Sequence, residues 1–342
     1  MRKIFGYKFL FAAALVASLA SCSDDDDKTL STRVEKPVIT TGLSATTVSE
    51  GDTITVTLTS DKAISDPMEF KFEVLAGSTG GFRDLSSAEG IEIEVGAGFG
   101  ALGYQIVMPA YTTSYTFTIV PIVDLEAEGA ETFNIRFYGD GNAKGKVAEG
   151  SEFFTLTVNN TVTDDFIANF DWSQTNADYY GTLVAGEYAG DDDATHAYCD
   201  FDFDLELYTW PGLDYQAVSY TDCPESLTLL GTDPDGEYLL VPSFYTADGP
   251  TPPKSGEINF KAFVEMGRPG AFKTVYNLDN VWSYTVGGIE EGNPDGAIPI
   301  VLIEKVGTTY TVRDFNTNEV LGSGRGASLK QQIIAKIKAR KH

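Results

Sequence analysis

Histidine is nearly absent from this chain of 342 residues, which holds only His196 and His342. No Gly-x-Ser-x-Gly elbow, His-Glu-x-x-His helix, phosphate-binding glycine loop or catalytic cysteine constellation occurs. Ser-His-Asp chemistry would have to run through His196. A paired-carboxylate glycoside hydrolase is the one enzyme class that 50 acidic residues leave open, and the module available for it is small; the expectation is a non-enzyme. Basic residues are scarce too. Three of the 24 lie in 1–21 and six in 325–342, so segment 22–324 holds 15 against all 50 acids, a net of −35. A field of that sign repels phosphates and excludes nucleic acid as a partner, while cations and neutral ligands such as sugars remain compatible. Long apolar runs are missing as well. The run Phe9 to Ala20 has 12 residues, short of the roughly 20 that span a bilayer.

That run follows Arg2 and Lys3 and ends in Leu19-Ala20-Ser21-Cys22, the layout of a secretory signal peptide over 1–21. Cys22 directly after Leu-Ala-Ser resembles the bacterial lipobox, which implies lipidation of Cys22 and an outer-membrane anchor. Residues 22–36 open with Ser23 and four aspartates, Asp24 to Asp27; like charges repel and stay solvated, so a disordered acidic tether is expected. The acidic cluster after the lipidated cysteine resembles that of Bacteroidetes-type surface lipoproteins, which implies exposure at the cell surface. A spacer on a periplasm-facing lipoprotein is the alternative. Of three cysteines, Cys199 and Cys223 remain, and an exported context favours a disulfide between them over free thiols or a half-formed metal site.

The remainder reads as all-β: two consecutive β-sandwich domains, immunoglobulin-like and jelly-roll-like, at 37–162 and 163–324. In the first, Ile54, Val56 and Leu58 alternate with threonines. Tyr115/Phe117/Ile119, Phe133/Ile135/Phe137 and Phe154/Leu156/Val158 repeat the pattern of half-buried strands. Val48-Ser49-Glu50-Gly51-Asp52 and the acidic loop Asp124 to Phe133 resemble the Calx-β domain, an immunoglobulin-like sandwich. The resemblance implies calcium at one end, with Glu50, Asp124, Glu128 and Glu131 as candidate ligands. Calcium takes 6–8 oxygens, often from carboxylates on separate loops. One departure is Asn159-Asn160-Thr161, where calcium-binding members carry aspartates. The acids also read as ordinary solvated loop ends.

The second module is richer in aromatics. Strands are expected at Tyr179–Tyr188, Phe201–Tyr208, Tyr215–Tyr220, Tyr238–Tyr245, Gly256–Val264, Val281–Val286, Ile298–Ile303 and Tyr310–Phe315. Cys199–Tyr245 faintly resembles bacterial pre-peptidase C-terminal-type modules. Asp200, Asp202 and Asp204 imitate the start of an EF-hand, but Leu205 stands where glycine is required and Pro211 where glutamate is. The row therefore reads as an outward-facing strand edge. Trp172, Trp210, Trp282, Tyr179, Tyr180, Tyr215 and Tyr220 are candidates for stacking on sugar rings, or for core packing. Residues 325–342 read as a short basic C-terminal helix. The functional expectation is a non-catalytic binding or adhesion accessory, directed at extracellular glycan or a surface protein. A structural or cell-contact role is the alternative.

Overall fold

The computed structural model describes residues 35–93, 101–140, 143–177 and 183–324. The signal-peptide, Cys22, most of the tether, Tyr179, Tyr180 and the basic tail lie outside these residues. The fold is all-β, built of sheets paired face to face around two hydrophobic clusters.

The first cluster draws on residues 39–158. A five-stranded sheet runs Lys146–Val147, Val38–Leu43, Ile54–Ser60, Ser114–Pro121, Leu85–Ser86. A six-stranded sheet runs Thr47–Ser49, Phe153–Asn159, Glu131–Gly139, Met68–Val74, Gly103–Met108, Ile91–Ile93. The alternating residues face inward as the pattern requires: Ile54, Val56, Leu58, Phe117, Ile119, Phe133, Ile135, Phe137, Leu156 and Val158 are all buried. Phe117 stacks on Phe72 at 5.7 Å and on Phe137 at 5.9 Å. Burial of such side chains contributes about 1.5–3 kcal/mol each. The chain crosses between the sheets early. Val38–Leu43 pairs antiparallel with Ile54–Ser60, and Thr47–Ser49 then pairs parallel with Phe153–Asn159 in the opposite sheet. That crossing brings Glu50 to one end of the sandwich.

The second cluster draws on residues 166–312. Its four-stranded sheet runs Glu225–Leu229, Phe166–Asp171, Phe263–Arg268, Phe272–Asn277. Its six-stranded sheet runs Tyr215–Ser219, Asp202–Trp210, Gly236–Thr246, Val301–Val306, Thr309–Asp314, Val320–Gly324. Between them lies an aromatic core in which Phe203 stacks on Phe244 at 4.5 Å and Phe201 meets Phe260 edge-on at 4.9 Å.

Two expected strands are corrected. Only Phe263 and Val264 of Gly256–Val264 are strand, and Val281–Val286 is turn and bridge. These stretches cross the core rather than joining a ladder: Phe260 N–H donates to Trp282 O at 3.0 Å, and Asn259 bridges Ser283. Apolar content there serves packing, which periodicity alone cannot separate from pairing. Among the strands unread in the sequence are Phe166–Asp171, Glu225–Leu229, Phe272–Asn277 and Val320–Gly324 here, and Val38–Leu43, Met68–Val74 and Gly103–Met108 in the first sandwich.

The hairpin turn Arg268-Pro269-Gly270 seats against the segment 160–165. Arg268, itself buried, donates to Thr163 O at 2.5 Å, to Thr308 O at 2.7 Å and to Asp164 Oδ1 at 2.6 Å. Gly270 has φ +67°, and a Cβ there would stand 2.3 Å from both Asn160 Oδ1 and Thr161 O. Gly270→Ala therefore combines left-handed backbone with a steric clash. We expect it to destabilise by about 2 kcal/mol or more, read as a lower denaturant midpoint at unchanged slope. An unchanged midpoint would contradict the close approach.

Candidate functional site: an acidic end of the first sandwich

Five carboxylates gather at the end where the first sandwich's strands turn. Glu50 follows Thr47–Ser49, and its neighbour Gly51 adopts φ +81° to reverse the chain. Asp124 follows Ser114–Pro121, Glu128 sits in the next loop, and Glu131 opens Glu131–Gly139. The fifth, Asp84, closes a short 3-10 turn over Phe82–Asp84.

Backbone hydrogen bonds knit these loops into one unit. Glu50 N–H donates to Asn159 O at 3.0 Å, Gly51 N–H to Pro121 O at 2.7 Å, and Ile122 N–H to Asp84 O at 2.8 Å. Thr161 closes the set, its N–H on Glu50 Oε2 at 3.0 Å and its hydroxyl on Glu50 O at 2.9 Å. Asp124 Oδ1 accepts Glu126 N–H at 2.7 Å.

Glu50 and Glu131 are buried, at 6% and 8% exposure, and no Lys or Arg pairs with either among the described residues. The Glu131 carboxyl is pushed up to about 7, by loss of solvent first and then by Glu128, Asp84, Asp124 and Glu50. Glu50 is raised by burial, offset by the Thr161 N–H and raised again by Asp124, Glu128 and Asp84. Asp124 is raised by desolvation, lowered by the Glu126 N–H, raised by Asp84 and Glu126 and lowered by Lys273, while Glu128 is raised by desolvation first and then by Asp124, Asp84 and Glu126. Glu131 feels Glu50, Asp124 and Glu128, so the four residues singled out in the sequence share one electrostatic neighbourhood. Asp84 went unread in the sequence.

The loop's other acid is neutralised. Glu126 pairs with Lys273, which also reaches Glu265 at 2.8 Å. Asn160 Nδ2 donates to Glu128 O at 2.9 Å and to Glu126 O at 3.4 Å, while its buried Oδ1 has no partner among the described residues.

Chemically, the donors are all oxygen, as a hard cation such as calcium requires. Among the described residues, however, no three His, Cys, Asp or Glu side chains stand close enough to hold a metal ion. The donor chemistry fits calcium; the spacing is that of mutually repelling acids.

Other candidates are placed as follows. Cys199 and Cys223 form a disulfide with a Cα–Cα distance of 5.6 Å. His196 bonds Asp192 at 3.0 Å, and Asp193 pairs with Lys254. Trp172 and Trp282 are core residues rather than exposed faces, because they fill the space between the sheets. Trp210 packs edge-on to Phe315 at 5.4 Å, whereas Tyr215 and Tyr220 are exposed. Asp200 is exposed, and Asp202, Asp204 and Glu206 lie half-buried on the face opposite Phe203, Leu205 and Leu207; their strand is paired on both sides, so they do not form an edge, and desolvation with Asp202, Glu206 and Glu225 nearby pushes Asp204 up to about 7.

No family model and no curated protein matches the chain. Solved structures with a partial likeness include CBD12 from CALX1.2 (TM-score 0.26, 15% identity, 68% of this chain and 79% of that one). The calcium binding domain CBD12 of CALX1.1 is similar at TM-score 0.23 and 14% identity, with the same coverage. The adhesin InvE of Yersinia pseudotuberculosis is similar at TM-score 0.18 and 12% identity, over 87% of this chain and 76% of that one. Likenesses at this level carry no argument about function.

Proposed function

We propose that this chain is a non-catalytic binding or adhesion accessory, lipid-anchored through Cys22 at the outer membrane and facing the medium. On this reading its first sandwich is stabilised by calcium and its second is directed at extracellular glycan. The observation that carries the reading is the acidic end of the first sandwich, where buried Glu50 and Glu131 lie among Asp84, Asp124 and Glu128 and neither pairs with a Lys or Arg among the described residues. Calcium would supply charge neutralisation there, and Glu50, Asp84, Asp124, Glu128 and Glu131 are the residues whose carboxylates would have to close on it from the wider spacing described above. The body's net charge of −35 over 22–324 favours cations and neutral ligands over anions.

Two experiments test the reading. Antibody labelling of intact cells should stain the wild type and lose staining in Cys22→Ala; staining that survives Cys22→Ala contradicts the anchor. On a glycan array in millimolar calcium, the chain should retain at least one neutral polysaccharide. Silence across the array would leave the structural or cell-contact role in its place.

A further inference from the structure

The six-stranded sheet of the second sandwich turns one face into the aromatic core and the other away from it. On Asp202–Trp210 the period of two sends Phe203, Leu205 and Leu207 inward and leaves Asp202, Asp204, Glu206, Tyr208 and Trp210 half-buried on the opposite face. Residues directly opposite on neighbouring strands share a face. Glu237 stands opposite Trp210, and Glu304 opposite Glu237. Five carboxylates therefore lie on that face, two of them set against each other across the ladder, where like charges destabilise. The sheet's strands hold two bases. Lys305 is buried and donates to Asp233 O at 2.8 Å, and Arg313 reaches Glu304 at 3.6 Å. Neither Asp202 nor Asp204 pairs with a Lys or Arg among the described residues.

Aromatic rings flank these carboxylates. Tyr208 and Tyr215 meet edge-on at 6.4 Å, and Tyr215 is exposed. Clustered carboxylates repel anions, and ring faces beside them attract cations through their quadrupoles. A neutral ligand gains nothing from the charge, so the face fits a basic partner. The chain itself carries one. Val320–Gly324 is the last strand of the same sheet, and residues 325–342, outside the described residues, follow it directly. They contain Arg325, Lys330, Lys336, Lys338, Arg340 and Lys341 and no acid. Val320–Gly324 lies four strand spacings from Asp202–Trp210, about 19 Å at about 4.8 Å each. A segment of that length covers about 27 Å as a helix and more when extended, so it reaches in either form. The other sheet of this sandwich offers less, because its Glu265 already pairs with Lys273 at 2.8 Å.

We propose that residues 325–342 dock on this face of the second sandwich, their Lys and Arg side chains set among Asp202, Asp204, Glu206 and Glu237 and against the rings of Tyr208, Tyr215 and Trp210. The docked tail covers the face on which a basic peptide from elsewhere would sit. Neither calcium nor glycan binding is needed for this contact.

The test is zero-length carbodiimide cross-linking of the full chain at low protein concentration, with the joined peptides mapped by mass. The reagent condenses a lysine amine with a touching carboxylate to an amide and takes up the water released. Monomeric products should join Lys330, Lys336, Lys338 or Lys341 to the acids of 202–206 and to Glu237 or Glu304. They should be lost between about 0.1 M and about 1 M salt, where the screening length falls from about 10 Å to about 3 Å. Acrylamide quenching gives a second reading, because Trp172 and Trp282 are buried and Trp210 is half-buried. Lys336→Gln/Lys338→Gln/Arg340→Gln/Lys341→Gln leaves both sandwiches intact in sequence. It should raise Trp210 quenching to the level that about 1 M salt produces in wild type. Joined peptides that place the tail on Glu50, Asp124 or Glu128, or that spread evenly over the chain's acids, overturn the site, as does the absence of any such product. Products confined to dimers show the tail seated on a second copy and overturn docking within one chain. Equal quenching of variant and wild type at low salt also overturns it.

Discussion

Glu131→Gln should make the calcium-free protein more stable at pH 8 and change its stability far less at pH 5. The Glu131 carboxyl titrates at about 7 in the fold, raised by desolvation and by Glu128, Asp84, Asp124 and Glu50, against about 4.3 in an unfolded chain. Between these values the folded state binds the proton and the unfolded state does not, so stability falls as pH rises from about 4 to about 7. Below that window the group is protonated in both states and carries no penalty. Above it the full cost of a buried charge among like charges is present. At 1.36 kcal/mol per unit the difference is at most about 4 kcal/mol, reduced by whatever relaxation the loops allow. Glutamine keeps the shape and deletes the charge, and should recover about 1–3 kcal/mol at pH 8. Urea unfolding in chelator at pH 5 and pH 8 reads this directly. A variant less stable than wild type at pH 8 would show that the charge is already compensated.

Removal of the disulfide should have the other large effect. Cys199 and Cys223 are 24 residues apart in sequence. Closing a loop of that length restricts the unfolded chain by about 3.5 kcal/mol in the chain-entropy treatment. The bridge also ties the segment carrying Asp222 to the start of the strand Asp202–Trp210. Cys199→Ala/Cys223→Ala should therefore lower stability by about 3 kcal/mol, and reductant should reproduce the loss in wild type alone. Equal stability of the double variant and the oxidised wild type would contradict this. The segment beside the bridge should loosen in parallel, seen as faster hydrogen exchange across 220–225.

Four strands of the first sandwich were legible because they obey the period-two rule, whereas Met68–Val74, buried at Phe70 through Glu73 in succession, does not and was missed. Ile54, Val56 and Leu58 face a core and their threonine neighbours do not, and nothing else competes for those positions. The second was less legible for a physical reason. Gly236–Thr246 is buried on both faces from Tyr238 to Phe244, and stretches such as 256–262 and 281–286 are apolar because they plug the core, not because they pair. Composition sees both as strand. The site shows the same division. Glu50, Asp124, Glu128 and Glu131 were readable from the acidic loops they occupy, whereas Asp84 is brought to them by pairing far along the chain, through Ile122 N–H to Asp84 O and the adjoining Leu85–Pro121 pair. Asn160 places its amide nitrogen on the loop carbonyls of Glu126 and Glu128. Trp172, Trp210 and Trp282 read equally as sugar-stacking faces or as core packing, and burial decides for the core at Trp172 and Trp282.

The central claim is that the acidic end of the first sandwich holds calcium, and one comparison tests it most directly. The melting temperature of the full chain is measured at pH 8 in chelator and in about 2 mM calcium, for wild type and for Glu50→Gln/Glu131→Gln. Ligand bound to the folded state alone stabilises it by RT ln(1 + [Ca²⁺]/Kd), about 2.7 kcal/mol at a hundredfold excess, and extracellular modules bind in the range of about 10⁻⁴–10⁻³ M, where this concentration gives a smaller shift of several degrees. The account predicts that calcium raises the wild-type melting temperature and has no effect on the double variant, which already melts higher than wild type in chelator. An unchanged wild-type melting temperature, or an equal calcium shift in the double variant, would contradict it.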